Sequence, residues 1–308
     1  MTEEFGLLEI EDGEPVGDEF EELDVADTEA DRIARKQDRE FLEFRKRIKN
    51  TEQFKVEASV FDDATLGALY KLVQDGYIDA FGGPISTGKE ANIYTALAPD
   101  GEVAVKVYRI NASDFRDMRE YLDGDPRFEG IGSDKKKVVT AWVRKESSNL
   151  KRARRAGVRT PEPIAVERNV LVMELVGLVE ERARRLAEVN VENPETAFEV
   201  VREYMRRLYG AGLVHGDLSE YNLIVYEGEL VVIDLGQAVT VHHRNAEEFL
   251  RRDCRNVANF FARQGVETTP EELLAYVREY ATPDDDDDTA PGSDDDAVPQ
   301  GTLEERRE

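Results

Sequence analysis

The chain has 308 residues, one cysteine and a formal net charge of −26. One cysteine excludes an internal disulfide and predicts a reducing, cytoplasmic setting. No apolar run approaches the ~20 residues of a membrane span, and the acidic start lacks the basic and apolar regions of a signal peptide, so a soluble intracellular protein is expected.

The charge lies mostly at the ends. Residues 1–30 hold 13 acids and no base, residues 282–308 hold 11 acids and two bases, and −4 remains for residues 31–281. Both ends are rich in Asp, Glu, Gly and Pro without apolar periodicity, and both are predicted to be disordered acidic tails. Arginine (29) outnumbers lysine (12), a bias that either a salt-loving source or genomic nucleotide composition would produce.

Residues 31–60 are predicted to be a basic helical extension: "DRIARKQDREFLEFRKRIKN" carries eight bases against four acids, with Ile33, Phe41, Phe44 and Ile48 at partly helical spacing. Residues 61–176 open with a helical pattern, "DDATLGALYKLVQDG". The stretch "GGPISTGKEANIY" follows. Gly83 to Lys89 fits the spacing of a P-loop, but Glu90 stands where Ser or Thr would bind magnesium. The continuation "ANIYTALAPDGEVAVKVYR" reads as two strands joined by a turn at Pro99–Gly101, with Val103, Val105 and Val107 alternating with Ala104, Lys106 and Tyr108. A phosphate-gripping loop on a β-hairpin, with a lysine on the next strand, is the plan of a protein kinase rather than of a P-loop NTPase.

A long helix is predicted from Lys136 to Ala156, stopped by Gly157. Its Val139, Trp142, Glu146 and Leu150 follow a 3-4-4 spacing that turns Glu146 toward the apolar side, where a carboxylate needs a cation. The alternative is a surface Glu146 paired with Arg144 or Lys145. "VLVMELVG" reads as a buried strand ending in a glycine. Residues 177–281 are predicted to be a reduced helical lobe, whose clearest helix starts at Asn193-Pro194 and carries Phe198, Val201, Met205 and Leu208 on one face to a stop near Gly210.

The strongest chemistry lies in "LVHGDLSEYNLIVYEGELVVIDLGQAV". Asp217 and Asn222 are five residues apart, a loop spacing that sets a carboxylate near a reacting hydroxyl and an amide on a metal ion. Asp234 comes twelve residues later, at the end of an apolar strand and before a glycine, where a turn would present a second metal-binding carboxylate. Singly, such residues cap turns and helices; their joint order behind a hairpin lysine points to phosphoryl transfer.

"ISTGKEANIYTA", "HGDLSEYN" and "VIDLGQAV" resemble the signature segments of the RIO atypical serine/threonine protein kinases, type-one branch, over about Asp62 to Gly265. "HGDL" followed by Asn is also similar to aminoglycoside and choline phosphotransferases; "STGKEAN" and "DLGQA" separate the two. The resemblance implies an α+β, two-lobed protein-kinase-like fold using ATP and Mg2+. It implies that Ser86, Thr87, Gly88 and Lys89 cover the triphosphate, that Lys106 grips the α and β phosphates with Glu146 as its partner, and that Asp217 is the catalytic base. Asn222 and Asp234 would hold metal, and Asp234 could itself accept the phosphoryl group. Adenine would lie against Ile85, Ile93 and Ala104 and bond to the hinge backbone at Glu174 and Val176.

No Ala-Pro-Glu segment follows Asp234-Leu235-Gly236, and 44 residues separate Gln237 from Thr282, too few for the usual peptide-binding platform. The resemblance implies a role in small ribosomal subunit maturation, with ATPase activity and autophosphorylation. Residues 135–159 hold ten bases against one acid, which fits contact with rRNA in pre-small-subunit particles or a solvated face and an electrostatic funnel for ATP. A nucleotide-binding assembly platform and a small-molecule phosphotransferase are the alternative functions. His242-His243 are expected to have a structural or surface role and Cys254 to pack in a helix, and His243-Arg244 replaces the His-Pro usual in the family. "LVEERARRL" lacks the proline-rich character often seen after the hinge in the family, so no nucleotide contact is assigned to it.

Overall fold

A computed structural model describes residues 61–279, apart from 111–114, 129, 133 and 179–181, together with a helical stretch at 39–43. The chain divides into two units, 1–44 and 45–308, and both lobes and the cleft between them lie within the second. Both predicted tails and most of the predicted extension lie outside the described residues.

Helix α1 (Asp63–Gln74) starts where the Asp62 side chain accepts from the Thr65 N–H at 2.8 Å, a carboxylate N-cap. Strands β1 (Ala80–Thr87), β2 (Ala91–Ala98) and β3 (Gly101–Tyr108) form a meander. Across the Pro99-Asp100 turn Ala98 pairs with Gly101, whose φ of +131° excludes most side chains. After α2 (Phe115–Leu122) comes α3 (Lys135–Arg155), then β4 (Pro163–Glu167) and β5 (Val170–Glu174). The five strands form an antiparallel sheet in the order β1-β2-β3-β5-β4.

Central β3 departs from the half-exposed alternation expected of it, because Val103 through Tyr108 are all buried. Ala104, Tyr108, Leu171 and Met173 join the core that includes Val139, Trp142 and Leu150 of α3. Val103, Val105 and Val107 point the other way, with Val170 and Val172 beside them in register. A strand buried on both faces reads as a nearly continuous apolar run, and Lys106 is the one charge within it.

The second lobe contains β6 (Arg184–Arg185), α4 (Pro194–Gly210), β7 (Leu213–Val214), β8 (Leu223–Tyr226), β9 (Glu229–Val232), β10 (Val239–Thr240), α5 (Ala246–Arg263) and α6 (Pro270–Glu279). Phe198, Val201, Met205 and Leu208 of α4 are buried as their spacing predicts. Two small sheets, β6-β8-β9 and β10-β7, carry the loops of interest. No helix among the described residues is long and apolar enough to cross a membrane.

Candidate active site

A cleft of about 470 Å³ runs between the five-stranded sheet and the β8–β9 hairpin. One part is apolar, walled by Ile85, Ile93, Ala104 and Met173 from the sheet and by Ile224 and Ile233 from the hairpin. Another part is polar, with Lys106, Glu146, Asn222 and Asp234. A flat apolar slot beside converging charges is the usual form of a small-ligand site.

Lys106 organises the polar part. Its Nζ donates to Glu146 Oε1 at 2.6 Å and to Asp234 Oδ1 at 3.0 Å. Glu146 is 1 % exposed and also accepts from the Tyr108 hydroxyl at 2.5 Å, so the inward-turned carboxylate has its cation and the surface alternative with Arg144 or Lys145 does not occur. Burial works against the Lys106 charge, but Asp234 and Glu146 outweigh it and hold the amine well above its ordinary pKa. The same proximity holds Asp234 below the usual carboxylate range, against the effect of burial. The Asp234 side chain is nevertheless 53 % exposed toward the cleft, leaving oxygen lone pairs free.

Asn222 and Asp234 are neighbours because they flank the two ends of one hairpin. Leu223 pairs with Val232, the turn at Glu227 (φ +49°) and Gly228 (φ +80°) closes the far end, and Ile233 N–H donates to Asn222 O at 3.0 Å. Asp234 itself sits at φ +62°, an uncommon conformation for a non-glycine residue and one found at constrained functional turns. Asn222 Nδ2 donates to Asp217 O at 2.8 Å and to Asp217 Oδ2 at 3.2 Å, which fixes the Asp217 carboxylate. Asp217 lies outside the lining of the cleft itself.

The loop carrying Asp217 is held from beneath by a residue that the sequence motifs did not single out. Asp253 of α5, 1 % exposed, accepts from Gly216 N–H and Leu218 N–H, each at 2.8 Å. Arg252 donates to Gly216 O. The signal was available: Asp253 lies four residues after Phe249 and four before Val257, on the apolar stripe of an amphipathic helix. His215 is buried; its Nδ1 accepts from Asp217 N–H at 3.3 Å, so Nε2 donates to Ile233 O at 3.1 Å, and burial lowers its pKa. A side chain at Gly216, where φ is +82°, would meet Gln237 O at 2.9 Å.

Helix α3 reaches the turn after Asp234 as well. Lys145, named above only as a possible partner of a surface Glu146, is fully buried and bonds to the carbonyls of Gly236 and Ala238; burial pushes its amine down to about 7, opposed by Asp125. A Cβ on Gly236 would lie 3.0 Å from Trp142 Nε1, so close packing accounts for that glycine.

The hairpin loop is less uniform than expected. Ser86, Gly88 and Lys89 line the cleft, whereas Thr87 is exposed at the end of β1 and does not. Gly88 N–H donates to Ala91 O at 3.0 Å and to Asn92 Oδ1 at 3.3 Å, so it serves the turn, and the loop offers the cleft the Ser86 hydroxyl and the Lys89 amine. At the hinge, Glu174 and Val176 both line the cleft. The Glu174 carboxylate is taken up by Arg159, at 2.8 and 2.5 Å, and its N–H donates to Glu162 O at 2.8 Å, so a ligand at Glu174 could meet only its carbonyl. Arg185, from the segment to which no contact was assigned, also lines the cleft. His243 is buried, with Nδ1 accepting from Asn245 N–H and Nε2 facing Glu120 O, a structural role. Cys254 packs in α5, fully buried.

The donor set suits a hard cation and a polyphosphate. One carboxylate with free oxygens, one amide and one lysine converge, with no thiol or imidazole among them.

Comparison with known proteins agrees with this geometry. The RIO domain family matches residues 92–274. The chain is 73 % identical over 278 residues to RIO-type serine/threonine-protein kinase Rio1 of Haloferax volcanii, covering 90 % of this chain and 96 % of that one. It is 37 % identical over 265 residues to the Rio1 of Methanocaldococcus jannaschii, covering 85 % and 90 %. Among solved structures, the Rio2 kinase–ADP/Mg2+–phosphoaspartate complex from Chaetomium thermophilum superposes with a TM-score of 0.56 at 25 % identity, over 70 % of this chain and 66 % of that one. With its antiparallel sheet, long helix and reduced helical lobe, the chain has the two-lobed kinase-like fold and belongs to the RIO family of serine/threonine kinases, in its archaeal type-one branch.

Proposed function

We propose that the protein is an ATP- and Mg2+-dependent serine/threonine kinase and ATPase that autophosphorylates and acts in small ribosomal subunit maturation in the cytoplasm. The observation that carries this reading is the convergence of Lys106, Asn222 and Asp234 on one cleft, with Asp217 held to Asn222. Lys106 grips the phosphates, Glu146 keeps it in place, and the apolar walls at Ile85, Ile93 and Ala104 take the base, with the Glu174 and Val176 main chain at the hinge. Asn222 and Asp234 hold the metal, which supplies charge neutralisation at the phosphates. Asp217 accepts or orients the proton of the attacking hydroxyl or water.

Two nucleophiles compete at the γ-phosphorus. A serine hydroxyl gives autophosphorylation. The Asp234 carboxylate gives an acyl phosphate as the bond from phosphorus to the ADP oxygen breaks; water then releases inorganic phosphate and restores the carboxylate. The phosphoaspartate complex of the Chaetomium Rio2 kinase supports this second route, as does the exposed, αL-held carboxylate of Asp234. The basic face of α3, with Lys136, Lys137, Arg144 and Lys151 exposed, supports contact with rRNA on pre-small-subunit particles.

Brief incubation with γ-labelled ATP, acid quench and hydroxylamine treatment tests the reaction, because hydroxylamine cleaves acyl phosphates and spares phosphoserine. Protein label lost to hydroxylamine, and absent in Asp234→Asn, is expected. Label that wholly survives, in protein that is turning over ATP, would leave Asp234 as a metal ligand alone.

A further inference from the structure

The helix that carries Glu146 grips the cleft twice. Beside Glu146, which meets Lys106, Lys145 donates from Nζ to Gly236 O at 2.8 Å and to Ala238 O at 2.5 Å. One turn on, Asn149 donates from Nδ2 to Leu235 O at 3.1 Å and to Ala238 O at 3.0 Å. The Asn149 amide has its orientation set from behind, since Arg127 donates to Asn149 Oδ1 at 3.2 Å while being paired to buried Asp125. Trp142, three residues before Lys145, closes over Gly236.

These contacts have an unusual character. The hydrogen bonds of the buried Lys145 amine go to main-chain carbonyls; its charge is further eased by the rings of Trp142, 5.1 Å away, and Tyr121, 5.9 Å away. Placing an amine in a core is costly, and an aliphatic side chain would fill the same space. The carbonyls it satisfies belong to residues 235–238, the segment directly after Asp234. Either form of the amine has the two donors the carbonyls use, so the grip does not depend on its protonation.

We propose that Lys145 and Asn149 are positioning residues for phosphoryl transfer. They fasten the main chain of residues 235–238 to the helix that holds Lys106 through Glu146, so that one rigid element sets the Asp234 carboxylate and the Lys106 amine in register. In ordinary protein kinases the packing of a Phe side chain after the metal-binding Asp sets the active or inactive arrangement. Here Leu235 occupies that place, and the fastening is made through main-chain acceptors that no substitution in the loop removes. The proposal rests on the role of Asp234 in the proposed function.

The test uses the full chain and the variant Lys145→Met, which keeps length and removes the donors. Asn149→Ala serves as the second variant, and decides the matter if Lys145→Met does not fold. Amide hydrogen exchange on nucleotide-free protein is expected to quicken about 10-fold in residues 235–240 while β3 and α4 keep wild-type protection. The Mg2+ concentration for half-maximal ATP turnover is expected to rise and kcat to fall, each about 10-fold, with ATP affinity in the absence of Mg2+ within about twofold of wild type. Unchanged exchange in 235–240, or an unchanged Mg2+ requirement, in a folded variant would overturn the proposal. So would exchange that quickens equally throughout the protein. Asp234→Asn in the same assay separates the two levels: a slow Asp234→Asn beside a wild-type-like Lys145→Met removes the fastening alone, whereas an Asp234→Asn that turns over ATP like wild type removes the role of Asp234 beneath it.

Discussion

Asn222 holds Asp217 by two bonds from one amide group, 2.8 Å to its main-chain oxygen and 3.2 Å to its carboxylate. On the proposed function, the residue that would face the metal therefore also aims the base. Asp217→Asn is expected to leave ATP affinity within a few-fold of wild type while cutting phosphoryl transfer by roughly 10² or more, because only the proton acceptor is lost. Asn222→Ala is expected to lower transfer and raise the Mg2+ requirement together. Single-turnover ATP cleavage across a Mg2+ titration checks both, and unchanged turnover in Asp217→Asn would remove it from the mechanism.

Lys106→Ala leaves the Glu146 carboxylate buried with the Tyr108 hydroxyl but without its cation. A loss of about 3 kcal/mol in urea-unfolding stability is expected from breaking a buried pair one-sidedly, in addition to weaker nucleotide binding and slower turnover. Lys106→Met combined with Glu146→Gln is expected to regain much of the stability and none of the activity. Wild-type affinity and turnover in Lys106→Ala would contradict the role given to the hairpin lysine.

Burial raises Asp253 to about 7, against the pull of the Gly216 and Leu218 N–H groups. In the unfolded chain it titrates near ~4. Between these values the native state keeps a proton that the unfolded chain has released, so this group's contribution falls as pH rises from ~4 to about 7 and is constant above. Relative to Asp253→Asn, wild type is therefore expected to be favoured most near about pH 4–5 and least near about pH 8 in paired denaturant curves. A difference independent of pH would show that Asp253 titrates in the native state as it does in the unfolded chain.

Cys254 is the single thiol of the chain and is 0 % exposed. Burial pushes its pKa up to about 12, so neither access nor thiolate is available in the native state. Native protein at about pH 8 is expected to be inert to thiol-specific reagents over hours and to react as fast as it unfolds in urea. Prompt stoichiometric labelling would mean that α5 opens locally.

The motifs of the candidate site were legible because each is local: a lysine on an alternating strand, Asp217 and Asn222 in one loop, Asp234 after one apolar run. Glu146 was legible too, since helical spacing turned it inward. Lys145 was not, because the same spacing gives no reason to bury a cation beside it; its partners are carbonyls ninety-odd positions away in sequence, and main-chain acceptors leave no trace in a sequence. Thr87, grouped with its neighbours over the triphosphate, lies exposed at the end of β1 and outside the cleft lining, which loop composition does not show. Arg185 was missed because β6 is two residues long and owes its place to pairing with β8.

Arg159 ties three parts of the molecule. Its guanidinium holds Glu174 at the end of β5, approaches Glu229 of the second lobe at 3.5 Å, and its carbonyl accepts from Val232 N–H at 2.8 Å. These bonds join the lobes directly behind the hinge segment. Breathing of the cleft that keeps this pin would preserve the span beside Glu174 and Val176 while the distance from the Ser86–Lys89 loop to Asp234 changes. On the proposed function, the phosphate end of a bound nucleotide would then exchange more freely than its base.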